Sequence, residues 1–358
     1  MKICFVISGL SQGGAERVLS VLANYLSVRH EITILKFDEN KPFYEILPDI
    51  KIISTHSGVG NKGFFGNLTK RFDKFLSIRK FLKTHKFDVV ISFLDAINVL
   101  TLLANSGLKN KIIISEHTNH TFLKSLVWRA LKRITYPGAA GLSVLSKFDY
   151  DFYTFVKKRA ILQNPMFEAS CKDNFKKENL ILSAGRLINF KGFDIFLQAV
   201  SKISPEILKS WKIIIAGDGE ERKNLENLAR ELNVNVCFAG FVKNIDELYA
   251  KAKIVVVTSR AEGFCNILME SIFFNCARIS TNCVAGPSDL INDGVDGFLC
   301  AVDNENEIAK KLEILIKDEN LRDKFVLAAN RRRENFSVDN ISGKWIKFIK
   351  ECIGETAN

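Results

Sequence analysis

The stretch Ile254-Val-Val-Val-Thr258-Ser-Arg-Ala-Glu262-Gly-Phe-Cys-Asn266-Ile-Leu-Met-Glu270 decides the fold. Its first half is β-branched and uninterrupted, the pattern of a strand buried on both faces, and Asn266 onward reads as the start of a helix. Glu262 therefore belongs to the loop at a strand's C-terminal end, where open α/β sheets bind ligands. Glu270 lies about one turn into the helix, whose free N–H groups can meet a diphosphate. Alone, two carboxylates eight positions apart describe a surface loop and an amphipathic helix more often than a site. Placed at a strand end, they suit the hydroxyl pairs of a nucleotide sugar.

Strand-then-helix alternation runs through the whole chain. Ile3–Ser8, Glu31–Phe37, Ile50–Thr55, Val89–Phe93, Ile112–Ser115 and Gly141–Leu145 read as short strands in the first half. Leu180–Ala184, Lys212–Ala216, Val236–Ala239, Ile254–Thr258 and Ala277–Thr281 do so in the second. This pattern predicts an α/β fold of two doubly wound, Rossmann-like domains built on parallel sheets, facing each other across a cleft. The join is expected at Asn164-Pro165, giving domains 1–165 and 166–338, with 339–358 as a final helix. At 358 residues and 47% hydrophobic, the chain can build two cores. No stretch is long and apolar enough to span a membrane, and the first strand runs into a glycine loop without a cleavage site. Eight cysteines without C-x-x-C or metal-ligand spacing read as buried free thiols, with Cys4, Cys237, Cys283 and Cys300 on strands, and point to the cytosol.

Charge is divided unequally. Through residue 170 there are 24 Lys and Arg against 13 Asp and Glu, and 27 of each thereafter, so the net +11 belongs to the first half. Such a surplus calls for an anionic partner: nucleic acid, an anionic membrane or a phosphorylated substrate. Between Asn67 and Lys83, Leu68, Phe72, Phe75, Leu76 and Leu82 recur at helical spacing, while Lys70, Arg71, Lys74, Arg79, Lys80 and Lys83 take other faces. Leu123–Arg133 repeats the design. Part of this aromatic stripe is expected in the core, with enough cations left to meet a lipid diphosphate at an anionic membrane.

Leu180–Gly192 is a strand, a glycine turn and two cations, Arg186 and Lys191, suited to neutralising a leaving diphosphate. Ala216-Gly-Asp-Gly219 is a second strand-to-helix turn. In the first half, Gly9-Leu-Ser-Gln-Gly13-Gly14-Ala-Glu16-Arg17 lacks G-x-G-x-x-G, so a loop whose amides approach phosphate fits better than a dinucleotide site. Arg17 either faces an acceptor phosphate or pairs with Glu16.

These motifs in order, Gly13-Gly-Ala-Glu-Arg, Gly185-Arg186 with Lys191-Gly192, Ala216-Gly-Asp-Gly219, Phe238-Ala-Gly-Phe241, Glu262-Gly-Phe264 with Glu270, Gly286-Pro287 and Asp293-Gly, resemble the retaining glycosyltransferases of family 4 over nearly the full length. The resemblance implies the GT-B architecture, with the donor nucleotide on the second domain and the acceptor on the first. It implies that Arg186 and Lys191 hold the donor diphosphate, Glu262 the hydroxyls of the transferred sugar and Glu270 those of the ribose. Gly13 and Gly14 then approach the donor phosphates, Phe241 and Val242 the base, and Phe264, Cys265, Asn266, Ile267 and Leu268 complete the donor site. His117, at the end of Ile112–Ser115, is implied at the reaction centre, and His117, Glu262, Arg186 and Lys191 form the catalytic set. Arg17, Lys70, Arg71 and Lys74 fall to the acceptor's lipid diphosphate. Asn275 and Cys276 depart from the family's small-Gly turn, and Asp289 stands where Glu is commoner.

Within the family, the Phe-rich basic helix, Ile91–Asp95 and Ile114–His117 are similar to bacterial transferases that add N-acetylgalactosamine to undecaprenyl-diphosphate-linked glycan in protein N-glycosylation. The implied partners are a UDP-N-acetylhexosamine, most simply UDP-GalNAc, a polyprenyl-diphosphate-linked glycan that receives one or several sugars, and the cytoplasmic face of the inner membrane. Nucleic acid is not among them. No metal or other cofactor is required, since cations and amides cover the diphosphate, and the D-x-D of Asp149-Tyr-Asp151 reads as helical. A UDP-sugar epimerase of the same fold and a noncatalytic basic binding module are the rival readings.

Overall fold

The computed structural model describes residues 1–55, 64–166 and 176–355, with the side chains of 64–68 outside the description. The chain divides into two compact units, one of Met1–Pro165 with Val338–Asn358 and the other of Met166–Ser337.

In the first unit, β1 (Lys2–Val6), β2 (Glu31–Lys36), β3 (Lys51–Ser54), β4 (Val89–Phe93), β5 (Ile112–Ser115), β6 (Gly141–Val144) and β7 (Arg159–Ile161) form one sheet of order β3-β2-β1-β4-β5-β6-β7. Its strand pairings among the described residues are parallel. The helices are α1 (Gly14–Ser27), α2 (Phe64–Thr84), α3 (Asp95–Ala104), α4 (Leu126–Thr135) and α5 (Lys147–Phe152). The chain order reverses between β1 and β4, so the loops leaving these strands form the ligand-binding crest of a doubly wound sheet. The C-terminal helix, Val338–Ile353, belongs to this unit. Its Ile341, Trp345, Phe348, Ile349 and Cys352 recur on one stripe and bury against Ile3, Phe5, Leu19 and Leu22. Each such side chain contributes about 1.5–3 kcal/mol. Gly141 permits the approach, because a Cβ there would lie 2.4 Å from Cys352 Sγ.

The second unit repeats the plan. Strands β8 (Glu178–Ala184), β9 (Lys212–Ala216), β10 (Cys237–Gly240), β11 (Ala252–Val257), β12 (Ala277–Thr281) and β13 (Phe298–Cys300) take the parallel order β10-β9-β8-β11-β12-β13. The helices are α6 (Phe193–Ser201), α7 (Pro205–Leu208), α8 (Arg222–Glu231), α9 (Asp246–Lys251), α10 (Asn266–Phe273), α11 (Pro287–Leu290), α12 (Glu305–Lys317) and α13 (Glu319–Asn330). The apolar run of β11 is central, with β8 and β12 on either side, and Ile254 through Val257 are buried.

Three details differ from the expectation. The strands β7 and β13 are three residues long, too short to show a period. Cys283 follows β12 instead of lying in a strand, and Cys237, though on β10, is exposed. Cys171 lies outside the described residues.

Candidate active site

At the crest of the second unit three loops are laced together by glycines. Gly185 and Gly217 both take positive φ, +145° and +137°, and a Cβ on Gly217 would lie 1.8 Å from the Gly185 carbonyl oxygen. Leu187 N–H donates to Asp218 O at 3.0 Å and Gly217 N–H to Gly240 O at 2.7 Å. The Asn189–Lys191 turn ends on Gly192 in the left-handed region, φ +62°, where a Cβ would lie 2.1 Å from Thr258 O. Thr258 Oγ1 closes the contact by donating to Gly192 O at 2.7 Å.

That packing delivers Lys191 to the end of β11. Its Nζ is 2.6 Å from Glu262 Oε1, which also accepts from Ser259 Oγ at 2.6 Å. Burial works against the ammonium charge, but the Glu262 carboxylate outweighs it and holds the Lys191 pKa above its ordinary value. A Cβ built on Gly185 would stand 3.8 Å from both Lys191 Cδ and Ile267 Cδ1, so the glycine turn, Lys191 and the first turn of α10 converge. Arg186 is exposed, and its guanidinium has no partner among the described residues. Glu270 is buried on α10 and accepts from Tyr249 OH at 3.0 Å. The side chain of Phe241 is exposed, as suits a segment expected to act through its backbone. Cys265 and Phe264 are buried beneath the turn. The amides of Asn266 and Leu268, expected as free donors, are bonded to Phe264 O and Cys265 O at 3.1 Å each. The first turn of α10 spends them internally, which leaves Ile267 as the amide of the three outside those two bonds.

A brace that the sequence did not reveal fixes this arrangement. Arg260 grips Asp194 in a bidentate fork at 3.0 and 2.7 Å, and bonds Asp303 and Asn189 O at 2.7 Å each. It ties the Lys191 turn to the Glu262 loop. The charge spacing carried no signal, since the partners are far apart in the chain.

In the first unit, the Gly9–Gly14 loop leaves β1. Side chains crowd its glycines: a Cβ on Gly9 would meet Asp38 Oδ2, and one on Gly13 would meet Glu16 Oε2, each at 2.1 Å. Gly14 opens α1, and Arg17 N–H donates to Gly13 O at 3.0 Å. His117 follows β5. Its ring lies on Phe93 at 5.1 Å between centroids, and its Nε2 is 2.9 Å from Ser115 Oγ, which accepts from Ser143 Oγ at 2.7 Å. With Ser115 donating to Nε2, the imidazole proton resides on Nδ1, a buried atom that has no partner among the described residues. Burial lowers the His117 pKa to about 3, so the ring is neutral.

Behind His117 lies a second unannounced cluster. Glu116 accepts from Asn98 at 3.0 Å, from Tyr136 OH, and from Lys132 Nζ at 3.1 Å. Lys132 also bonds Asp95 and, at 2.9 Å, Tyr153 OH. Burial pushes the Glu116 carboxyl up to about 8. Against burial, Lys132 holds Asp95 below its ordinary value, so one carboxylate balances the ammonium. Leu94, just before Asp95, has φ +75°, an uncommon strain for a leucine, at the sheet's switch point.

On α2 the aromatic stripe divides. Ile78, Phe81 and Leu82 enter the core, whereas Phe72 and Leu76 are exposed. Leu68 lies outside the described side chains. Lys70 is partly exposed. The exposed Arg71 stacks its guanidinium 4.7 Å from the Trp128 ring. Lys74 is half-buried with Nζ 5.3 Å from the Phe37 ring, and burial lowers its pKa.

Two family models match: Glycosyltransferase Family 4 over residues 12–154 and Glycosyl transferases group 1 over 168–332. The chain is 41% identical, over 98% of its length and 99% of the relative's, to the GalNAc-α-(1→4)-GalNAc-α-(1→3)-diNAcBac-PP-undecaprenol α-1,4-N-acetyl-D-galactosaminyltransferase of Campylobacter jejuni. The chain belongs to the family 4 glycosyltransferases. A second Campylobacter jejuni relative of this glycosyltransferase, N-acetylgalactosamine-N,N'-diacetylbacillosaminyl-diphospho-undecaprenol 4-α-N-acetylgalactosaminyltransferase, is 28% identical over 97% of the chain and 99% of its own length. Among solved structures, sucrose-phosphate synthase of Thermosynechococcus elongatus superposes with a TM-score of 0.82 at 14% identity, covering 99% of each chain. Anabaena HepE in complex with UDP does so at 0.75 and 17%, covering 98% of this chain and 100% of that one. The fold is therefore GT-B, two Rossmann-like domains on parallel sheets. Among the described residues, no helix is long and apolar enough to cross a membrane, and no group of three or more His, Cys, Asp or Glu is arranged to hold a metal ion.

Proposed function

We propose that this enzyme is a hexosyltransferase that moves N-acetylgalactosamine from UDP-GalNAc onto an undecaprenyl-diphosphate-linked oligosaccharide, with retention at the anomeric carbon. The observation that carries the reading is the 2.6 Å Lys191–Glu262 pair at the meeting of the β8 and β11 loops, with the exposed Arg186, unpartnered among the described residues, on the same turn as Lys191. Lys191 and Arg186 neutralise the diphosphate as the anomeric C–O bond breaks, which is usually the largest electrostatic term available to such a site. Glu262 accepts from hydroxyls of the transferred sugar and Glu270 from the ribose. These two cations stand in for a metal ion. His117, neutral and fixed at the end of β5 by Ser115, helps to organise the reaction centre. The acceptor hydroxyl gains the new glycosidic bond, UDP is released, and the hydroxyl proton leaves with it.

The acceptor assignment is supported by the activities that name both Campylobacter jejuni relatives. It is also supported by the exposed Phe72 and Leu76 beside Lys70 and Arg71 on α2, a composition suited to peripheral attachment at an anionic membrane. The site of action in this reading is the cytoplasmic face of the inner membrane.

Purified protein incubated with labelled UDP-GalNAc, UDP-GlcNAc or UDP-galactose and a lipid-linked acceptor ending in GalNAc tests the proposal. Addition of one or more GalNAc residues, read by mass, supports it. Transfer confined to another sugar overturns the donor. Isomerised UDP-sugar without acceptor makes the protein an epimerase, and binding without turnover makes it a noncatalytic module.

A further inference from the structure

The side chain of Lys177 ends in a nest of backbone oxygens. Its Nζ donates to Ala252 O at 2.6 Å, to Tyr249 O at 3.1 Å and to Phe274 O. An ammonium has three protons, and these three carbonyls use them. Cys276, one of the two residues that depart from the family's small-Gly turn, brings its Sγ to 3.5 Å from the ammonium and donates to Tyr249 O and Ala252 O at 3.3 Å each. None of the donor or acceptor assignments involves Lys177, which the sequence shows only as one cation in a polar linker.

The three oxygens lie at the C-terminal ends of two helices. Tyr249 is in the last turn of α9 and Ala252 caps it, while Phe274 caps α10. Helix ends leave carbonyls short of partners and gather partial negative charge, so one partly buried cation serves both ends at once. Lys177 immediately precedes β8, whose Glu178 is in register with Ala252 on β11, and the sheet thereby fixes where the ammonium is delivered.

The same two helices carry the two members of one hydrogen bond. Tyr249 OH, from α9, donates to Glu270 Oε2, on α10, at 3.0 Å, and the Tyr249 ring stacks on Phe274 at 5.5 Å and 20°. Both residues are buried, so a shift of one helix end against the other acts directly on that bond. Hydrogen bonds weaken steeply as their geometry departs from ideal.

We propose that Lys177 is a positioning residue for the donor: by joining the ends of α9 and α10 it sets the direction in which Tyr249 presents the Glu270 carboxylate to the ribose hydroxyls. The inference rests on the reading of Glu270 as the ribose carboxylate. It gives the lysine no contact with substrate and no part in the chemical step.

The test measures binding of UDP and of 2′-deoxy-UDP to the full-length protein by calorimetry, beside steady-state transfer and thermal melts. Wild type is expected to bind 2′-deoxy-UDP on the order of tenfold more weakly than UDP, since the missing hydroxyl is one that a charged acceptor holds. Lys177→Met is expected to weaken UDP about fivefold with 2′-deoxy-UDP nearly unchanged, which narrows the discrimination to about twofold, and to raise KM for the UDP-sugar while kcat stays near wild type. Lys311→Met removes another lysine of the same unit that bonds a backbone oxygen, Leu299 O, and should lower the melting temperature alone. A Lys177 variant that behaves in that way, less stable with UDP affinity and discrimination unchanged, would make the lysine a structural clamp and overturn the proposal. The double variant Lys177→Met with Tyr249→Phe should bind UDP no more weakly than Tyr249→Phe by itself. Losses that add would show that the lysine does not act through Tyr249, and would overturn the proposal too. Should Lys177→Met fail to fold, Lys177→Arg keeps the charge but changes the nest, and the same comparisons decide. Equal affinity of wild type for the two nucleotides would withdraw Glu270 from the ribose, and the coupling of Lys177 to Tyr249 in UDP affinity then decides the positioning role by itself.

Discussion

Lys191 Nζ and Glu262 Oε1 are 2.6 Å apart although 71 positions separate them in the chain, and Ser259 Oγ completes the triad on the same oxygen. The pair gives each charge a fixed direction. Lys191→Ala is expected to reduce transfer by about 10²–10³-fold, the usual cost of one preorganised group facing developing charge. It should also lower stability by about 1–3 kcal/mol, because Glu262 is left buried with an unmatched charge. Glu262→Gln keeps the shape and the Ser259 bond, so it should lose comparable activity with a smaller change in melting temperature. Steady-state assays beside thermal melts separate the two effects. Wild-type turnover in either variant refutes the donor role.

Tyr249 OH donates to Glu270 Oε2 at 3.0 Å and holds the carboxylate that is proposed to meet the ribose. Tyr249→Phe removes one hydrogen bond to a charged group, worth about 1.5–3 kcal/mol. The expected result is a KM for the UDP-sugar raised on the order of tenfold, with kcat nearly unchanged. A fall in kcat at constant KM would instead place Glu270 at the chemical step.

Much of this architecture is readable from period and punctuation. The β-branched run at Ile254 and the glycines at 185, 192, 217 and 219 mark strands and crest turns because each obeys a local steric rule. What could not be read depends on distance. Lys132 sits in a basic amphipathic segment where a lysine ordinarily faces water, yet it is buried against Asp95 and Glu116. The Arg260–Asp194 brace and the folding of Lys74 over Phe37 likewise require the tertiary structure, as does the internal use of the Asn266 and Leu268 amides.

Gly217 offers a test of the crest that involves no charge. At φ +137° an alanine is strained, and its Cβ would lie 1.8 Å from the backbone oxygen of Gly185, which has no side-chain freedom with which to yield. Gly217→Ala is therefore expected to cost about 1–3 kcal/mol in stability and to displace the Arg186 turn. Donor affinity should fall with it. Hydrogen exchange at residues 185–192 is the direct measurement, and protection equal to wild type would show that the loops are not coupled.

Lys70 and Arg71 stand beside exposed Phe72 on α2, whereas Lys74 is drawn in toward Phe37. Lys70→Ala with Lys74→Ala is expected to weaken binding of the lipid-linked acceptor by about tenfold and to leave UDP affinity near wild type. Of the two, Lys70→Ala should carry most of the effect. Equal loss of acceptor and UDP binding would remove α2 from the acceptor's description.

The neutrality of His117 has a pH signature. Burial lowers its folded-state pKa to about 3, from an ordinary value of 6.5. The unfolded chain thus binds the extra proton first as pH falls. The stability that His117 contributes is fully present above about 6.5 and is lost progressively as pH drops toward about 3, at a slope of up to about 1.4 kcal/mol per pH unit. His117→Phe abolishes that titration, so wild type and variant should differ in slope inside the window and run parallel above it. Because the imidazole stays neutral, the nitrogen chemical shifts of its ring should be flat between pH about 5 and about 8, and transfer should show no histidine ionisation there. A ring that titrates near its ordinary value would place His117 in water and withdraw it as a fixed, neutral part of the β5 crest.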